Sequence, residues 1–189
     1  RHPLVGQSPY AASKIAADQF AESYARSFDT RVITARPFNT FGPRQTARAV
    51  IPTVLSQLAL GASEICMGSL DPTRDFNFVT DTAKGMIDVM FAPFPDGSVV
   101  NIGSGMEISI GQFVNIAKTI SRREDVVVKT ISERVRPAAS EVNRLVADSS
   151  FLRSSTSWEP SVPFEEGVSR TYDWIKENKH LFSVSAGQN

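Results

Sequence analysis

The feature that most constrains the fold is the alternation of helix-like and strand-like segments along the chain. Ser8 and Pro9 indicate a helix start, because serine can cap free backbone amides and proline at the first helical position needs no amide partner. The helix is expected to run to about Phe28, and a short β-branched strand follows at residues 31–36 before Pro37. Helices that alternate with strands predict a parallel or mixed sheet covered by helices.

The same alternation continues to the end of the chain. Asp81 is expected to cap a helix, and Ser109 with Gln112 has the spacing of a capping box that opens another. Tyr172 lies on the apolar face of a last amphipathic helix. The remaining helices are predicted at 49–60 and 148–154, and the remaining strands at 64–67, 75–79, 99–102 and 126–131. These strands are too few for a complete doubly wound sheet.

Composition and charge exclude several classes of protein. The 189 residues are 41% hydrophobic, and 20 lysines and arginines balance 20 aspartates and glutamates. This balance fits a globular chain and provides no overall field toward nucleic acid or an anionic membrane. No apolar run approaches the roughly 20 residues of a membrane span. One cysteine cannot form an internal disulfide, so we expect a cytoplasmic protein. No spacing of histidine, cysteine or acidic residues predicts a metal site.

Tyrosine and lysine four residues apart occur twice. Tyr10 and Lys14 lie one turn apart on the predicted first helix, and Tyr172 and Lys176 repeat the spacing on the last. Only alanine and serine separate the first pair, which leaves room for a flat cofactor ring and its ribose to approach the helix. Larger side chains at 173–175 separate the second pair, which we interpret as part of an ordinary packed helix.

A tyrosine that acts as a base needs help from its surroundings. A free phenol has a pKa near 10, so only about one in a thousand is ionised at pH 7. Bringing that pKa to neutrality takes about 4 kcal/mol of preferential stabilisation of the phenolate, which a nearby ammonium group can help to supply. Tyr10 and Lys14 are therefore a candidate base and its activating cation. The alternative is a helix tyrosine beside a solvated lysine.

An ordered set of motifs gives the chain a family resemblance. Residues 8–14 read SPYAASK and residues 36–44 read RPFNTFGPR, and further matches follow at 48–52, 74–81, 101–105, 136–142, 158–160 and 166–167. The set resembles the extended short-chain dehydrogenase/reductase superfamily, and within it the NAD-dependent nucleotide-sugar 4,6-dehydratases and epimerases. Most similar are the dehydratases that act on nucleotide-linked N-acetylglucosamine in legionaminic-type sugar pathways. The resemblance covers nearly the whole chain in the family's order.

The resemblance implies roles for residues near the first pair. Tyr10 would take a proton from a sugar hydroxyl while hydride leaves the same carbon for NAD, and Lys14 would hold the nicotinamide ribose. Pro37 and Phe38 would line the nicotinamide, and Asn39 would contact the diphosphate of the substrate. The expected cofactor is therefore NAD, and the expected substrate is a nucleotide-diphosphate sugar.

Binding of a diphosphate requires placed guanidinium groups, because their planar forks match phosphate oxygens. The resemblance assigns this task to Arg74 and Arg136, with Arg48 and Arg44 as weaker candidates. The other implied substrate contacts are the polar Asn101 and an apolar slot for the base formed by Ile51, Pro52, Ile65 and Met67, although core packing explains the apolar four about as well.

The fold class expected from the resemblance is α/β, as the C-terminal part of a Rossmann-like doubly wound sheet with a smaller α/β substrate-binding domain. Residues 1–48 would end the dinucleotide-binding domain, and residues 49–189 would form mainly the substrate-binding region, with some segments that return to the Rossmann sheet. The turn at 103–105 lacks the third glycine of the dinucleotide fingerprint and is interpreted as a connection. The chain starts without methionine, so we expect a fragment.

Three functions stay open at this point. The first is a nucleotide-sugar 4,6-dehydratase, and the second is a 4-epimerase or decarboxylase that uses the same initial oxidation. The segment that carries the acid and base of the dehydratases would precede Arg1, so the residues do not choose between them. The third is a non-catalytic nucleotide-sugar binding module. An apolar face on the first helix, with Phe20, Tyr24 and Phe28, predicts a homodimer through that helix.

Overall fold

The computed structural model describes residues 4–131 and 142–182. The helices within these residues are α1 (Pro9–Ser27), α2 (Val50–Ala59), α3 (Val79–Phe91), α4 (Ile110–Ser121), α5 (Ser150–Ser155) and α6 (Phe164–Glu177), followed by a 3-10 turn (Lys179–Leu181). The strands are β1 (Thr34–Pro37), β2 (Asn39–Phe41), β3 (Glu64–Met67), β4 (Thr73–Arg74), β5 (Phe76–Phe78), β6 (Val99–Ile102), β7 (Ile108–Ser109), β8 (Val127–Thr130) and β9 (Arg144–Leu145). Across the described ranges, no helix has the length and apolar character needed to cross a membrane.

β1 and β2 follow each other in one extended segment, but each strand belongs to a different sheet. β1 pairs in parallel with β6, and β2 pairs in parallel with β5. Between them, the Phe38 amide donates to the Ile102 carbonyl at 2.8 Å, so the first ladder reaches the residue where the second begins. Helix α3 carries the chain from β5 across to β6. Parallel pairing with helical crossovers confirms the predicted α/β class.

Two smaller sheets complete the architecture. β3 pairs in parallel with β8, and the cysteine on β3, Cys66, is half-buried. β4 lies between β7, which is antiparallel to it, and β9, which is parallel. This pairing places Arg74 opposite Ile108 on one side and Leu145 on the other.

Two clusters of buried apolar side chains hold these elements together. The larger cluster packs α2, α4 and α6 against β2, β3 and β5, and its aromatic contacts include Phe41 with Phe164 at 5.3 Å between ring centroids. The smaller cluster packs α3 and α5 against β1 and β6 around the fully buried Trp158. Helix α6 joins the larger cluster through the predicted apolar face, which includes Tyr172.

Helix α1 lies against the rest of the chain on a side that its aromatic residues do not occupy. Phe20, Tyr24 and Phe28 are 69%, 53% and 67% exposed. The half-buried positions of α1 are instead 11, 15, 18, 21, 22 and 25, which recur at helical spacing. The aromatic face, through which we expected a homodimer, is therefore open in this chain.

Two of the three predicted helix starts are confirmed and one is wrong. At the first, α1 begins at Pro9, and Ser8 Oγ accepts from the Ala11 amide at 3.1 Å. The capping box is confirmed, because Ser109 Oγ accepts from the Gln112 amide at 3.0 Å and Gln112 Oε1 accepts from the Ser109 amide at 2.8 Å. The cap assigned to Asp81 is wrong, because α3 already begins at Val79. The Asp81 carboxylate, 2% exposed, accepts instead from the amide and hydroxyl of Ser161 and from the Val162 amide.

Candidate active site

A cavity of about 470 Å³ opens where β2 ends and α2 begins. We call it the β2–α2 cavity. Its walls come from β2, the segment that leads into α2, the end of β3, and β4 with its flanking residues. The lining residues are Asn39, Thr40, Phe41, Gln45, Arg48, Ala49, Val50, Ile51, Met67, Gly68, Ser69, Pro72, Arg74, Phe76 and Ile110.

Five of the eight predicted substrate residues line this cavity, namely Asn39, Arg48, Ile51, Met67 and Arg74. Pro52 is buried in α2 and does not line it. Asn101 also lies outside the lining, and its Nδ2 donates to the Asp148 carbonyl at 3.2 Å. Arg136 lies outside the described residues.

Two arginines and the N-terminus of α2 lie on one side of the cavity. The Arg74 guanidinium lies in its wall, and Nη1 donates to the carbonyls of Thr73 at 2.8 Å and Val142 at 2.6 Å. Arg48 lies in the wall directly before α2. No side-chain hydrogen bond caps α2 at Ala49, and Val50 in its first turn also lines the cavity. Backbone amides at a helix N-terminus together with arginines are suited to a bound anion.

The apolar part of the wall belongs to the main core as well. Ile51 and Met67 are 1% and 6% exposed and are members of the larger apolar cluster. Phe76 and Ile110 share this double position. For Ile51 and Met67 the two interpretations, slot and core, therefore do not exclude each other, because the same side chains face the cavity and support the fold. Ile65 was also predicted for the slot, but it belongs to the core and does not line the cavity.

The residue next to Arg74 ties three segments together. The Asp75 carboxylate is fully buried and accepts from the Ser104 amide at 2.9 Å, the Ser104 hydroxyl at 2.6 Å, the Gly105 amide at 2.8 Å and the Ala147 amide at 3.0 Å. Four donors satisfy a carboxylate that would otherwise be costly to bury. The Ser104 and Gly105 amides are thus used by a protein carboxylate and the Gly103 amide by the Ser149 hydroxyl, which agrees with our interpretation of this turn as a connection.

Sequence reasoning missed Gln45 as a cavity residue. Its Nε2 donates to the Thr40 carbonyl at 2.9 Å, which holds the Gln45 side chain against β2. Thr40 Oγ1 in turn lies 3.0 Å from Thr82 Oγ1 at the start of α3. The signal that could have found Gln45 is its position directly after the matched segment at 36–44, which contains the Gly42 turn.

Tyr10 and Lys14 lie on the first two turns of α1, outside the lining of the cavity. The Lys14 Nζ stands 5.6 Å from the centroid of the Tyr10 ring, and the ring is 72% exposed. Phe38, which follows β1, is half-buried, and Pro37 at the end of β1 is exposed. The structure therefore leaves all four predicted cofactor residues outside the buried core.

The second tyrosine and lysine pair occupies a different environment. Tyr172 is 8% exposed and belongs to the larger apolar cluster, with Lys176 Nζ 5.0 Å from its ring centroid. Asp173 binds the Lys176 ammonium at 2.8 Å, and this contact raises the pKa of that lysine above its ordinary value of 10.5. A buried ring that packs among core side chains cannot approach a substrate, so the spacing alone does not define a site.

Solved structures with the same fold are sugar-nucleotide enzymes. A dTDP-glucose 4,6-dehydratase from Bacillus anthracis in complex with NAD superimposes with a TM-score of 0.84 and 27% identity, over 95% of this chain and 55% of that one. A UDP-glucose 4-epimerase from Thermotoga maritima with UDP-glucose gives a TM-score of 0.80 and 25% identity, over 94% of this chain and 55% of that one. The fold is thus that of the Rossmann-type, NAD-binding sugar dehydratases and epimerases.

The sequence places the chain more narrowly within this class. The family model for GDP-mannose 4,6 dehydratase matches residues 1–171, and the chain belongs to that family. The human dTDP-D-glucose 4,6-dehydratase is 32% identical over 185 residues, which are 94% of this chain and 51% of the human protein. The chain thus spans about half the length of the curated relatives it matches. Membership confirms the superfamily expected from the motifs.

Proposed function

We propose that this chain is the C-terminal part of an NAD-dependent nucleotide-sugar 4,6-dehydratase. The observation that carries the proposal is the β2–α2 cavity, where Arg48, Arg74 and the uncapped start of α2 face one space. A diphosphate is the kind of group that such a cluster holds. The apolar wall at Ile51 and Met67 offers the adjoining surface for a base.

The residues present also fit NAD. NAD, when bound, accepts hydride from the sugar and returns it. The phenol of Tyr10 and the ammonium of Lys14 stand on the same exposed face of α1, and the side chains between them are small. We assign Lys14 to the nicotinamide ribose, Pro37 and Phe38 to the nicotinamide, and Tyr10 to the sugar hydroxyl.

In this proposal Tyr10 holds and moves one proton. It takes the proton of the C4 hydroxyl as C4 is oxidised to a ketone. The ketone acidifies the C5 proton, so water leaves across C5 and C6, and C6 then receives hydride as C5 regains a proton. The Lys14 ammonium favours the phenolate form that accepts the first proton. Arg74, Arg48 and Asn39 hold the diphosphate and thereby keep C4 in place.

A 4-epimerase is the second candidate, because the fold also matches that of the Thermotoga maritima epimerase. It would share the oxidation at C4 and omit the loss of water.

We also propose, within the longer protein, a homodimer through α1 and a cytoplasmic location. Residues 1–48 would complete the cofactor domain, and residues 49–189 would mainly bind the nucleotide sugar.

The test is to follow an isotope in the full-length protein supplied with NAD and a nucleotide sugar that carries deuterium at C4. Deuterium at C6 of a 4-keto-6-deoxy product is expected for the dehydratase. Deuterium retained at C4 of an epimeric sugar would assign the epimerase. Binding without turnover of any nucleotide sugar tried would overturn both enzymatic candidates in favour of a binding module.

The residue assignment is tested with Tyr10→Phe, with Tyr172→Phe as the matched control. Loss of the proton acceptor should lower kcat by about 10²–10⁴-fold, the usual contribution of a general base. Affinity for the nucleoside diphosphate should be unchanged, because the phenol lies outside the cavity. Tyr172→Phe should keep kcat within about twofold, because phenylalanine preserves the buried ring packing. An unchanged kcat in Tyr10→Phe would contradict the assignment.

A further inference from the structure

One ion pair ties α1 to the strand that precedes the cavity. Arg36 on β1 donates from Nε and Nη2 to Oδ2 of Asp18, at 2.8 and 2.5 Å. Both side chains are partly buried, 36% and 24% exposed. Within the described part of the chain, the other side-chain hydrogen bonds of α1 stay inside the helix or at its cap.

The two partners stand next to the residues assigned to chemistry. Asp18 follows Lys14 by one helical turn and Tyr10 by two, so the three lie along one side of α1. Arg36 precedes Phe38 by two residues on the strand that continues into β2. The ion pair therefore spans the gap between the tyrosine and lysine side of α1 and the strand that leads to the cavity.

Apolar packing gives α1 little other definition. None of its residues is buried, and the half-buried side includes the small Ala11, Ala21 and Ala25. Small side chains permit close approach without fixing the helix along its axis or about it. Two donors from the Arg36 guanidinium to the Asp18 carboxylate form a directional contact, which fixes the helix both along its axis and in its rotation about that axis.

We propose that Asp18 and Arg36 are positioning residues that set the distance between the proton acceptor on α1 and the diphosphate cavity. This proposal rests on the proposed function. The pair acts through Tyr10 and Lys14 and touches neither cofactor nor substrate. Holding reacting groups in register matters because a misplacement of about 1 Å can cost about 10²-fold in rate.

The test is a double-mutant cycle in the full-length protein with Asp18→Ala, Arg36→Ala, the double variant, and the exchanged pair D18R/R36D. Each single variant should lower kcat by about tenfold or more while the affinity for free nucleoside diphosphate stays within about twofold. The double variant should be no slower than either single one, because both remove the same contact. The exchanged pair should recover part of the lost rate.

A second readout does not depend on catalysis. Hydrogen exchange of the α1 amides in the cofactor-free protein should speed up in both single variants and slow again in the exchanged pair. Arg26→Ala is the matched control, because it removes an exposed pair with Glu22 that stays within α1. Exchange and kcat should be unchanged in this control.

The outcomes separate the two proposals. Additive losses of kcat in the double variant, or α1 exchange that is the same in all variants, would overturn the positioning role. A wild-type protein that turns over no nucleotide sugar would overturn the proposed function, and the exchange experiment would still decide whether the pair fixes α1. Losses of kcat that disappear after correction for the folded fraction would assign the pair to stability alone.

Discussion

At the scale of single residues, carboxylates organise the surroundings of the cavity. The Asp75 carboxylate accepts hydrogen bonds from the amides of residues 104, 105 and 147, and the Asp81 carboxylate accepts from those of residues 161 and 162. Glu107 accepts from the Thr73 hydroxyl at 2.6 Å and from Arg144 Nε at 2.9 Å, which fastens β4 on either side. Each of these groups joins segments that lie far apart in sequence. The position of Arg74 therefore depends on acidic residues that do not themselves line the cavity.

The contacts of Glu107 predict a stability that depends on pH. The Thr73 hydroxyl, and after it the Arg144 guanidinium, hold the pKa of Glu107 below its ordinary value of 4.5. Folding thus favours the carboxylate, so its stabilisation is complete above the pKa of the unfolded chain and is lost as pH falls through the lower pKa of the folded chain. Denaturant unfolding should show wild type more stable than Glu107→Gln at about pH 7, with the difference shrinking as the pH falls below 4.5.

A difference that persists unchanged in acid would contradict this origin and indicate that the glutamine itself disturbs the sheet. Asp29→Asn serves as the control, because Asp29 lies in the turn after α1 and no ion pair joins it to another of the described residues.

At the scale of elements, the open side of α1 is the feature that the rest of the described chain does not use. Tyr24 and Phe28 contact each other there with tilted rings, whose centroids are 5.1 Å apart. Aromatic side chains at helical spacing that stay exposed are characteristic of an interface. This geometry supports the proposed association of two copies through α1.

Phe20→Glu should therefore shift the full-length protein from dimer to monomer. A charge at a position that is 69% exposed in the single chain costs little there, but it would be buried in the paired state. Light scattering at several concentrations measures the change. Val127→Glu, on an exposed apolar residue of β8, is the control and should leave the mass unchanged. A wild-type monomer at all concentrations would remove the case for this interface.

The helices and the strands β1, β3, β5, β6 and β8 were predictable because their signals are local, whereas the two- and three-residue strands β2, β4, β7 and β9 were not predicted. The capping box at Ser109, the apolar stripe of α6 and the β-branched run before Pro37 each act within a few residues. The role of Asp81 was not predictable, since its partners lie 80 residues further on. For the cavity, motif resemblance supplied Asn39 and Arg74, whereas Gln45 lies one position beyond the matched segment at 36–44.

At the scale of the whole molecule, α6 closes the main core over the β2–β5 sheet. The close approach occurs at Gly167, where an added Cβ would lie 2.7 Å from the Phe41 ring and 2.8 Å from the Phe78 ring. Phe41 also lines the cavity, so the same ring connects the closure of the core with the shape of the site. The last helix thus contributes to the site without lining it.

Gly167→Ala should destabilise the chain by about 1–3 kcal/mol, the usual cost of overpacking a core. Denaturant unfolding measures the loss. Gly111→Ala, in the first turn of α4, is the matched control, because a Cβ there meets only ordinary contacts at 3.5 Å or more. That change should be neutral or slightly stabilising, as expected for alanine in a helix. Equal effects of the two substitutions would contradict the close-packing explanation.

The continuous extended segment that carries β1 and β2 has a consequence for recombination between relatives. Because Phe38 is the single residue between the two ladders, an insertion or deletion there would move β2 by one register position against β5. One such step would exchange the two faces of β2 and turn Phe41 out of the core. Hybrid enzymes that join the cofactor region of one family member to the sugar region of another should therefore exchange residues 34–41 as a unit, with the crossover placed in the loop that leads to α2.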